Sequence, residues 1–76
     1  MVTADSTSKI TFRIQLTPGG RFEVSQGGRS LGTSQNELMA VWSAVSLAHD
    51  TARAGRKVSV VRIDKAGNEI EEYAVG

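Results

Sequence analysis

The stretch KITFRIQLTPGGRFEVSQ, residues 9 to 26, constrains this chain more than any other. From Lys9 to Leu16, polar and apolar residues alternate without a break. Ile10, Phe12, Ile14 and Leu16 fall on one side, and Lys9, Thr11, Arg13 and Gln15 on the other. Period-two alternation predicts a strand with one buried and one wet face. TPGG is a strong turn signal, and the alternation resumes with Phe22 and Val24. Register is specified wherever one face is buried, so the pattern also selects the loop. A two- or four-residue loop sets Leu16 opposite Arg21 and puts a charge on the core face. The three-residue loop Pro18-Gly19-Gly20 sets Leu16 opposite Phe22 and Ile14 opposite Val24. Such loops need a left-handed residue, which Gly20 supplies without steric cost.

Gly27-Gly28 is expected to end or bulge the second strand, with RSLG continuing it briefly. Ser34-Gln35-Asn36-Glu37 is a capping-box pattern. The helix that follows is predicted from Gln35 to Ala54 and stops at Gly55. Arg53, Arg56 and Lys57 suit the negative pole of its dipole. At about 100° per residue, Leu38, Val41, Trp42, Val45, His49 and Ala52 share a stripe. That stripe, with the chain's one tryptophan and one histidine, is expected to cover Phe12 and Phe22.

KVSVVRID and EIEEYAV predict a second hairpin around Lys65-Ala66-Gly67-Asn68. With Asp64 opposite Glu69, Ile63 pairs with Ile70, Arg62 with Glu71, Val60 with Tyr73 and Val58 with Val75. The Arg62–Glu71 pair supports this register, since opposite charges across strands are favourable. Apolar residues occupy both faces of this hairpin: Val58, Val60, Tyr73 and Val75 on one, Val61, Ile63 and Ile70 on the other. That pattern implies a central strand covered on both sides, a bulge that switches phase, or a self-association surface.

The expected architecture is α+β in the order β-β-α-β-β. Two β-hairpins form a four-stranded, largely antiparallel sheet with one α-helix packed on one face. The small, polar residues 1–8 are expected to be a flexible leader, and residues 9–76 a single domain, as a length of 76 suggests. FEVSQGGR, the helix alanines Ala40, Ala44, Ala48 and Ala52, and then GRKVSVVRI and GNEI resemble a family of small bacterial hairpin–helix–hairpin proteins of unknown function. The resemblance covers roughly residues 10 to 75. Trp42 and the acidic last strand depart from that family's pattern, and the resemblance implies a fold rather than an activity.

Composition narrows the chemistry. With no cysteine, neither a disulfide nor a thiolate–metal site supplements the core, which fits a reducing cytoplasm. No apolar run approaches a membrane span, and the first residues lack the pattern of a signal peptide. His49 has no second histidine to share a metal with and no evident catalytic partner, so neither a metal nor a cofactor is expected. PGGR and QGGR lack the phosphate-loop spacing. Glu69, Glu71 and Glu72 lie close together, but paired acid catalysis needs a cleft that separates their environments, so no enzyme is expected. Charge is divided: residues 1–62 carry eight Lys/Arg against four Asp/Glu, and residues 63–76 one against four. Such asymmetry suits self-association or steering of a partner.

These observations point to a non-enzymatic interaction module that binds a second copy, or another protein, through a sheet edge or the sheet face the helix leaves uncovered. The residues expected to lack a role in the monomer core are Leu47, on the helix's far side, and Val61, Ile63 and Ile70, or their opposites on the hairpin if the phase is reversed. The alternative is a weak nucleic-acid binder using the polar face of the first hairpin, Lys9, Arg13 and Arg21. RNA-binding sheets display aromatics for stacking, whereas Phe12 and Phe22 are in phase with the core.

Overall fold

A computed structural model describes residues 9–76. The expected leader, residues 1–8, lies outside the described residues. The elements run β1 (Ile10–Leu16), β2 (Phe22–Gln26), β3 (Arg29–Ser34), α1 (Glu37–Arg53), β4 (Val58–Ile63) and β5 (Glu69–Val75). They form one five-stranded mixed sheet in the order β3-β2-β1-β4-β5. The β1/β4 pair is parallel and the remaining pairs are antiparallel.

The first hairpin forms in the register its alternation dictates. Leu16 lies opposite Phe22 and Ile14 opposite Val24. The Thr17 amide donates to the Arg21 carbonyl at 2.7 Å, and Gly20 takes φ 81°.

The four-stranded, largely antiparallel sheet of two hairpins is not what forms. RSLGTS is a full strand rather than a short continuation, and it makes β1, β2 and β3 a meander. One added strand reverses the chain's direction before the helix. The helix therefore starts beside the end of β1 and returns along the sheet, so β4 enters parallel to β1 instead of antiparallel. Ser34 still pairs with Phe22 as part of β3 and cannot cap the helix. Asn36 does so: its side-chain oxygen accepts from the Met39 amide at 2.8 Å.

This topology explains the apolar run in VSVVRI. Its strand lies between β1 and β5, and Val58, Ser59, Val60 and Val61 are all buried. The register with β5 begins as predicted, Val58 opposite Val75 and Val60 opposite Tyr73. It then slips by one residue, and Val61 faces Glu71, Arg62 faces Ile70 and Ile63 faces Glu69. Glu72 is the extra residue of this bulge. A bulge turns a side chain away from its regular direction, and the Glu72 carboxylate reaches Arg62.

The core lies between α1 and one face of the sheet: Phe12, Ile14, Val24, Val58 and Val60 below, Ala40, Ala44 and Ala48 above. The helix thus turns a different face inward from the one its stripe predicts. Ala40, Ala44 and Ala48 recur every four residues and share one side. Short side chains let the helix settle close to a sheet face already filled by phenylalanine and branched residues, which is the large-against-small fit that dense packing favours. Trp42, roughly 160° around the helix from Ala44, is left outside. No helix among the described residues is long and apolar enough to cross a membrane.

Candidate interaction surface

Burying the alanines exposes the large side chains. Leu38, Met39 and Trp42 are 68%, 56% and 66% exposed on the outer side of α1. They sit at i, i+1 and i+4, so Leu38 and Trp42 stack on neighbouring turns with Met39 beside them. Met39, Trp42, Ser43 and Ser46 line a shallow open depression of about 340 Å³ on the same side. Residues 38–49 contain no Lys, Arg, Asp or Glu. Isolated exposed apolar residues are ordinary; here three large ones, Leu38, Met39 and Trp42, are exposed together on one side of the helix.

The sequence-derived surface residues do not form one patch. Leu47 is 41% exposed on the helix flank. Residues opposite one another on adjacent strands point to the same side of the sheet. Val61, opposite Arg13 and Glu71, therefore faces the side away from α1, and it is only 9% exposed there. Ile63, opposite Glu69, shares that side and is half-buried. Ile70 is also half-buried but lies opposite Arg62, on the side of the helix, because the bulge at Glu72 shifts it across.

The basic residues of the first hairpin are partly committed to other groups. The Arg13 guanidinium pairs with the Glu69 carboxylate at 2.9 Å. Arg21 Nε donates to Thr33 Oγ1 at 2.8 Å. Lys9 is exposed at the start of β1. The sheet face away from α1 carries Thr11, Gln15, Glu23 and Ser59 around Arg13. Phe12, Phe22 and Tyr73 belong to the core side.

A second concavity, an open cleft of about 490 Å³, lies where β1 and β4 end and α1 begins. Leu16, Phe22 and Ile63 give it apolar walls, and Arg62 and Glu37 lie within it. Arg62 Nε donates to Glu72 Oε2 at 2.7 Å, and its Nη1 stands 3.6 Å from Glu37 Oε2. The hydrogen bond donated to Glu72 leads in holding the guanidinium's pKa above its ordinary value, with Glu37 assisting against partial desolvation. Arg62 is thus the clamp joining the helix N-terminus, β4 and β5. Among the described residues, no His, Ser, Thr or Tyr lines the cleft. At the other end of the helix, His49 Nδ1 lies 3.4 Å from the Tyr73 hydroxyl, and both are apart from Trp42's depression.

The helix patch escapes a periodicity argument because Leu38 and Trp42 belong to the stripe that the period assigns to the core. The signal that could have exposed it is the alanine ladder, which offers a second apolar face with smaller side chains. Comparison with protein-family models, with curated proteins and with solved structures finds no match.

Proposed function

We propose that this protein is a non-enzymatic interaction module that self-associates, and that the outer face of α1 is its contact surface. The observation that carries the reading is the contiguous exposure of Leu38, Met39 and Trp42 on one helix. Removing large apolar side chains from water is the main favourable term in most protein association. Here that surface is held on a regular element anchored by the buried alanines. The cleft supports the non-enzymatic part of the reading, because Arg62 is engaged by Glu37 and Glu72. The absence of cysteine makes the cytoplasm the proposed compartment. Nucleic-acid binding through Lys9, Arg13 and Arg21 has less support. Phosphate contacts need concentrated positive charge, and Glu69 offsets Arg13 on that face.

Light scattering over a concentration series tests the proposal. The expected mass rises with concentration from that of one 8.1 kDa chain towards two. The double variant Leu38→Ser, Trp42→Ser should stay monomeric with an unchanged circular-dichroism spectrum. A wild-type chain that remains monomeric at millimolar concentration overturns the reading.

A further inference from the structure

Resting on that reading, we infer that the occupant of the α1 face is a second copy of this chain, packed antiparallel about a twofold axis that passes beside Trp42 and Ser43. Three observations lead there. First, the same short stretch carries both a projecting group and a place to receive one. Trp42 stands out from the helix and forms one wall of the shallow, open depression that Met39, Ser43 and Ser46 complete. A twofold contact uses one patch against itself, so residue i meets j while j meets i. A patch holding both shapes satisfies that condition without a separate partner surface.

Second, charge selects both the occupant and the direction. Residues 38–49 are free of Lys, Arg, Asp and Glu, so two copies of the patch meet without like-charge repulsion. With the axis between Trp42 and Ser43, Met39 comes opposite Ser46 of the second copy. Asp50 then comes level with Gln35 and Asn36 of the second copy, beside the positive pole of that helix, where an acidic side chain is favoured. A parallel arrangement would set Asp50 against Asp50, Arg53 against Arg53, and the two like poles of the helices together.

Third, area sets the strength. A largely exposed tryptophan offers on the order of 150 Å², and Leu38 and Met39 extend this to a patch of a few hundred Å². Two such patches fall short of the roughly 1,200–2,000 Å² of a stable, specific interface. The contact is therefore a weak, transient one.

A chain without cysteine permits a direct geometric test. Met39→Cys and Ser46→Cys are prepared as single variants, both at exposed positions of α1. Each is oxidised mildly alone and in an equal mixture, with Lys65→Cys as a control outside the helix, and the products are resolved by mass. Disulfides form only where Cα atoms come within about 7 Å. The antiparallel arrangement predicts a Met39–Ser46 cross-linked species in the mixture, in several-fold excess over either same-site product. Same-site products from each variant alone, with no excess in the mixture, would indicate a parallel pair and overturn the inference. Cross-linking no greater than the Lys65→Cys control, in samples that scatter as dimers, overturns it while leaving self-association through another surface. A monomer in light scattering overturns both.

Discussion

Ala44 is fully buried against the sheet while Trp42, two residues earlier on the same helix, points into solvent. The ordinary expectation about the two residue types is inverted, and mutational stability can read that inversion. Ala44→Leu adds bulk inside the core cluster that includes Ile14 and Val60, and overpacking of this kind costs about 1–3 kcal/mol. Trp42→Ser removes a side chain with little role in the monomer core and should change stability by less than about 0.5 kcal/mol. Urea denaturation at low protein concentration, where association does not contribute, checks both. A large loss for Trp42→Ser there would mean that α1 turns its predicted stripe inward after all.

The turn between β2 and β3 holds Gly27 at φ 61° and Gly28 at φ 81°. Positive φ at both central residues is what a two-residue type I′ hairpin turn requires. Adding a Cβ at Gly28 meets no atom within 4 Å, so the backbone conformation alone opposes a side chain. Gly28→Ala is expected to cost about 1–2 kcal/mol, and Gly28→Asn less, because asparagine tolerates the left-handed region. Thermal denaturation of the two variants gives the ranking, and equal losses would count against a left-handed turn.

That turn also carries a strong signal in the sequence for the strand that follows it. A glycine pair between two strand-like runs is a hairpin signal, yet Arg29–Ser34 has one large apolar residue, Leu31, and that residue falls in a bulge with no counterpart opposite it. Without alternation the strand leaves no periodic trace. Its presence decides the rest of the topology, because each added strand flips the direction of everything after it. The first hairpin was legible down to its register because Phe12, Ile14, Phe22 and Val24 leave one arrangement that keeps charge off the core. The helix was legible in extent but not in orientation. Its residues are apolar nearly all the way round, so the inward face is decided by the size of the side chains on the sheet, a tertiary matter that local periodicity does not encode. The candidate surface was hidden by the same ambiguity.

Arg62, on β4, ties the start of α1 at Glu37 to β5 at Glu72. Its hydrogen bond to Glu72 is 2.7 Å, against 3.6 Å for its approach to Glu37. Glu72→Gln should therefore lower the denaturation midpoint more than Glu37→Gln. The guanidinium and its partners remain in contact with solvent, so screening by salt matters. Raising the salt concentration should narrow the gap between wild type and Arg62→Met. A gap that salt leaves unchanged would show that the arginine acts through the packing of its aliphatic stem.

Asp64 gives the fold its most direct dependence on pH. Its carboxylate accepts from the Asn68 amide at 2.8 Å and the Ala66 amide at 2.9 Å, closing the turn between β4 and β5. The Asn68 amide leads in holding the pKa below the ordinary 3.8, with the Ala66 amide adding to it against slight desolvation. Hydrogen bonds to the charged form favour that form. A folded-state pKa below the unfolded value means that the unfolded chain binds the proton more readily. The stabilisation is therefore complete above the unfolded pKa and is lost as pH falls through the folded one, from about 4 downward. Asp64→Asn removes the titration. At neutral pH the variant should be less stable than wild type, and the two denaturation midpoints should converge as pH is lowered from 7 to 2. Curves that stay parallel through that window would mean the turn gains nothing from the ionised carboxylate.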